Sequence, residues 1–165
     1  MTSTTSVNFK DSYFEHPVLS KIRGEPTYET LHTLKTELKA NASSVPTTLG
    51  GGNHGYLGMI LDPAEYNLVA PGTQFIRPAN PGALVAPAAG TAAQIALAED
   101  QHKVAKKLYL ETLLLERMLI QQIIEAIETK FLQALRNPIT GQITPLVPNI
   151  LTYLHDNYGQ ITPKP

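Results

Sequence analysis

Leu49-Gly50-Gly51-Gly52-Asn53-His54-Gly55-Tyr56-Leu57-Gly58 decides how the rest of the chain is read. Gly50, Gly52 and Gly55 fit G-x-G-x-x-G, which cradles a phosphate when it joins a buried strand to a helix inside a βαβ unit. That reading would make an α/β protein. The flanks argue against it: Ala40 to Thr48 are polar and follow a helical pattern, and no Lys-Ser/Thr pair comes after the run. The stretch therefore reads as a tight helix–helix connection. Gly50, Gly51, Gly52 and Gly55 admit positive φ and close packing, and His54 hydrogen-bonds backbone groups to fix the turn.

Working outward, helical signals lie on both sides. Thr27 is an N-cap for a helix to about Ala42, with Leu31, Leu34 and Leu38 on one face and Glu29, Lys35, Glu37 and Lys39 on the other. After the glycines, His54 to Leu61 reads as a short helix with Leu57, Ile60 and Leu61 inward. Asp62 then caps a further helix with Pro63 at its first position and Tyr66, Leu68 and Val69 as its buried side. Pro71, Pro78, Pro81 and Pro87, with Gly72, Gly82 and Gly90, make the next stretch extended or looped. A loop of about 20 residues is uncommon in a compact domain and usually has a task.

Thr91-Ala92-Ala93-Gln94 has the form of a capping box, and neither Pro nor Gly recurs before Pro138. This is the long central helical segment, as one helix or more. Its first part is amphipathic. From Leu108 apolar groups wrap around the helix, which predicts burial on several sides. They do not hold a strict heptad through Ile127, so a simple two-stranded zipper is disfavoured. Asn137 to Gln142 forms a turn or tiny hairpin. A last helix carries Val147, Ile150, Leu151 and Leu154 inward and stops at Gly159. The class is all-α: a flexible arm over residues 1–12, a single helical domain over 13–162 and a tail over 163–165.

Composition narrows the function. With 165 residues and 42% apolar content, the chain suits one domain with a real core. The net charge is −1 and no basic stripe appears, so strong nucleic-acid binding by the chain itself is not expected. There is no cysteine, hence no disulfide, thiol nucleophile or Cys-based zinc site. Met1 to Ser6 offer no charged region before an apolar core, so no signal peptide is read and a cytoplasmic location is expected. The richest apolar stretch, Leu108 to Ile127, is broken by Glu111, Glu116, Arg117 and Glu125, so no membrane span is expected.

No catalytic or metal constellation stands out. His16, His32, His54, His102 and His155 are scattered with no i, i+4 pair, and no serine lies in G-x-S-x-G. The carboxylates sit mostly at pairing distance from lysines on helix faces. The reading is no enzyme, no cofactor, no metal and no small-molecule substrate.

Several stretches together resemble the Gag polyprotein of copia-type LTR retrotransposons, especially algal forms. These are Gly24 to Leu31, Leu38 to Ala42, Leu49 to Gly58, Phe75-Ile76-Arg77-Pro78-Ala79-Asn80-Pro81-Gly82, and Leu154 to Gln160, covering about residues 13–162. The resemblance implies a mostly helical, capsid-like domain that self-assembles into a shell around retroelement RNA. The family's zinc knuckle has no counterpart in a chain without cysteine, so RNA contact is implied only indirectly or through a C-terminal region outside this sequence. Tyr13 and Phe14 in the arm, and Phe75, Arg77 and Pro78 in the loop, are the candidate assembly contacts. The alternative for the arm is that it covers the domain's own core. The alternative for the protein is a helical adaptor that binds an unknown partner without assembling.

Overall fold

The computed structural model describes residues 9–160, which are mostly helical. In chain order the helices are α1 (Phe9–Ser12), α2 (Tyr28–Ser44), α3 (Pro63–Val69), α4 (Ala92–Ala126) and α5 (Val147–Tyr158). Short 3-10 turns fall at Leu49–Gly51, Leu57–Met59, Thr129–Phe131 and Gln133–Leu135. Among the described residues there is no strand, only isolated bridges from Ile22 to Ile127 and from Arg136 to Ile143. The fold is all-α.

Local chemistry places the helix starts. Thr30 N donates to Thr27 Oγ1, and Glu65 N donates to Asp62 Oδ1 at 2.7 Å, each inside a reciprocal capping box. Gln94 N donates to Thr91 Oγ1 while Thr91 N donates to Gln94 Oε1, so α4 begins the same way. α5 has no side-chain cap of its own. Its first amide, Val147 N, donates at 2.8 Å to Glu116 Oε1, a buried carboxylate from α4 placed where the helix dipole favours negative charge.

The described residues group into two compact units, 9–75 with 116–160, and 76–115. In the first unit α2 packs on α5, and Leu34, Leu38, Leu119, Ile123, Ile150 and Leu154 are buried. The N-terminal segment belongs to this core. Residues 1–8 of the expected arm, and the 163–165 tail, lie outside the described residues. Phe9, Phe14, Leu19 and Ile22 are all buried, and Ile22 N donates to Ala126 O at 2.8 Å. Within α1 only Phe9 is buried, and Asp11 and Ser12 are exposed.

In the second unit, Ile76 to Gly90 runs with neither helix nor strand, and the first part of α4 follows. His102 Nε2 donates to Gly82 O at 2.8 Å and ties the loop to that helix; only a ring N–H can face a carbonyl, so the bond fixes the tautomer.

Candidate functional site

The glycine run is a packing device. Gly50, Gly51, Gly52 and Gly55 have φ of 61°, 87°, 79° and 53°, a region where a side chain is strained. A Cβ on Gly55 would also lie 2.6 Å from the Val45 carbonyl oxygen. The adjoining Tyr56 N donates to Ala42 O at 2.9 Å, so the turn folds back onto the end of α2. Gly50 supplies its carbonyl to the buried Tyr66 hydroxyl at 2.6 Å.

Around this bond stands an aromatic cluster. Phe75 meets Tyr66 and Tyr56 edge-on, with ring centres 5.9 and 6.3 Å apart, and His54 meets Tyr66 edge-on at 6.3 Å. Burial raises the Tyr66 phenol pKa above its ordinary value. The run is preceded by α2 rather than a strand and followed by the single 3-10 turn Leu57–Met59, so no helix N-terminus of useful length faces it. His54 contributes an aromatic contact to the turn.

The candidate assembly residues divide. Tyr13 is exposed, whereas Phe14 is buried in the core and unavailable to a partner. Phe75 is half-buried, with its ring turned into the Tyr56–Tyr66 cluster and against Gly58. Arg77 and Pro78 are half-buried in the second unit. Of the five, Tyr13 presents the most open surface.

Other expectations need correction for the same reason, that partners distant in sequence set burial. Leu68 and Val69 are exposed rather than inward, because α3 spans two turns and aims only Tyr66 at the core. Glu37 is buried rather than solvated: Ser20 donates to it through N at 2.9 Å and Oγ at 3.0 Å, and His16 Nδ1 lies 3.4 Å away. Here serine hands its hydrogen bond to the carboxylate and not to the imidazole, which inverts the order a nucleophilic triad requires. Beside this group, buried Asn41 donates to Gln122 Oε1 at 3.0 Å and to His16 O at 2.9 Å, and Gln122 donates to His16 O and Pro17 O. These amides lock the N-terminal segment onto α2 and α4.

A groove of about 420 Å³ lies in the first unit beside α2, α3 and α5. Leu31, Ile60, Pro148 and Leu151 line it with apolar atoms. Its rim carries His32 stacked on Tyr28 at 6.2 Å, Lys35 paired with Glu65 at 3.0 Å, and His155. The Thr152 hydroxyl is taken by Pro148 O at 2.9 Å, so it offers no activated nucleophile. Among the described residues, no three His, Asp or Glu side chains could together hold a metal ion. The groove is shaped for recognising an apolar group with a polar edge.

No protein-family model, curated protein or solved structure matches this chain.

Proposed function

We propose that the protein is a structural, capsid-like assembly protein that self-associates through several small surfaces and encloses retroelement RNA as a shell. The observation that carries this is the distribution of exposed apolar side chains. Val18, Leu68, Ile76, Val85, Val104 and Ile139 are exposed at 66% or more and fall in both units. Single exposed apolar residues are ordinary on a protein surface; that they serve here as many weak, repeated contacts of the kind that build closed shells rests on the likeness to Gag. No helix of the described residues is long and apolar enough to cross a membrane.

The RNA cargo rests on the likeness to copia-type Gag alone. With a net charge of −1, this chain contributes shell contacts rather than phosphate contacts, and RNA is held indirectly or by a region beyond this sequence. The proposal places it in the cytoplasm, without catalysis, cofactor or small-molecule substrate. The groove beside α2 and α5 favours a second reading, an adaptor that captures one partner there.

Negative-stain electron microscopy across salt and concentration tests the first reading. Regular particles or tubes are the expected result; a chain that stays small at every concentration, alone and in a longer form of the protein, would sink it and leave the adaptor.

A further inference from the structure

In the second unit the first half of α4 has two unlike sides. Ile95, His102 and Tyr109 share the half-covered side, to which the loop is tied by the His102–Gly82 bond. At about 100° per residue, Leu97 and Val104 fall on the opposite side with Leu108 next to them. Leu97 is 58% and Val104 68% exposed, so this apolar stripe has no partner inside the unit.

The charges beside the stripe say what fits it. Asp100 and Lys107 are two helical turns apart, hence on one flank of the Leu97–Val104 stripe, and both are exposed. A two-fold axis crossing the helix between Lys103 and Val104 exchanges residue 100 of one copy with residue 107 of the other. Such an axis keeps each flank facing the same flank of its mate. Asp100 then meets Lys107 twice, Val104 meets Val104 at the centre, and Leu97 packs near Leu108. A parallel arrangement would instead set the Asp100 and Lys107 flank against the opposite, uncharged flank of its mate, which carries Gln101 and Ala105. Within its own helix Lys107, itself exposed, lies 3.9 Å from the half-buried Glu111, a long contact of little energetic weight that leaves the lysine able to exchange partners.

We infer that the Leu97–Leu108 face of α4 is the docking surface for a second copy of this chain, paired antiparallel and keyed by reciprocal Asp100–Lys107 contacts. The inference deepens the proposed self-assembly by naming one of its interfaces, and rests on that reading only for what the pair is used to build. Pairing and shell formation are measured separately, so each can fail alone.

The test is sedimentation of the full chain across concentration at low and physiological salt. Wild type should dimerise. D100K and K107D should each weaken the dimer about tenfold, since each turns two attractions into two repulsions. D100K/K107D should restore it, and an equimolar mixture of the two single variants should form a mixed dimer. A wild type monomeric throughout, or a double variant no tighter than the singles, overturns the pairing. Particles that form regardless of D100K would remove this interface while leaving assembly intact. A charge-keyed dimer that never builds particles would do the reverse.

Discussion

Two regions of this molecule treat their side chains in opposite ways. The turn from Gly50 to Gly58 exposes Gly51, Gly52 and Asn53 but closes inward at both ends: backbone at positive φ, the Gly50 carbonyl given to Tyr66, and Tyr56 packed edge-on against Phe75. The first half of α4 is regular helix with Leu97 and Val104 left in solvent. The turn is conspicuous in sequence because unusual backbone needs unusual residues. The helix face is inconspicuous because ordinary residues suffice for it. Conspicuous sequence here reports local strain and packing, whereas the surface available to a partner is written in plain Leu, Val, Asp and Lys. If this contrast is right, substitutions in the turn should cost stability and leave association to follow folding, while substitutions on the α4 face should do the converse.

The largest loss is expected for Gly55→Val. Its φ of 53° disfavours any side chain, and the Ser43 and Val45 carbonyls occupy the space a Cβ would need. A cost of about 4 kcal/mol or more, enough to abolish soluble folding, should appear in expression and thermal denaturation. A Gly55→Val protein with wild-type melting would end the packing account of the glycine run.

Asn41→Leu comes next. It removes the amide that holds Gln122 and both backbone groups of His16, leaving buried polar atoms without partners. A loss of about 3 kcal/mol is expected, together with faster proteolysis between Phe9 and Ser20 as the segment is released. Unchanged protection would show that the apolar anchors Phe9, Phe14 and Leu19 suffice.

Legibility followed sequence distance. The caps at Thr27, Asp62 and Thr91 were readable because donor and acceptor lie three residues apart. The inward faces of α2 and α5 were readable from period alone. Glu37 and Glu116 were not, since their partners Ser20 and Val147 lie 17 and 31 residues away. Asn41 and Gln122 stand 81 apart, and no local pattern marks them as a pair. Leu68 and Val69 misled because apolar content in a seven-residue helix does not say how many of its sides are covered.

Tyr66→Phe should cost less, about 1 kcal/mol at neutral pH, by deleting the bond to Gly50 O. It also has a pH signature. Burial holds the folded phenol above its ordinary value of 10.0, so the unfolded chain loses that proton first as pH rises. Stability then falls from about pH 10 until the folded group ionises too. Denaturant titrations should show a shallower alkaline decline in Tyr66→Phe; parallel curves would mean the phenol is not what burial makes of it.

Val104→Asp should affect folding least, which makes it the sharpest test of the contrast. At 68% exposure on regular helix, the valine gives up little packing, so the monomer should keep its stability within about 0.5 kcal/mol. At the centre of an antiparallel pair, however, two aspartates would face each other across a two-fold axis. The variant should therefore melt as wild type when dilute and fail to associate when concentrated. If it loses stability as a monomer, the stripe is a covered core after all, and the difference between the two regions disappears. If it folds and still pairs, the apolar face is ordinary surface, and self-association must be sought among the other exposed positions, with Tyr13 and Ile139 the first to substitute.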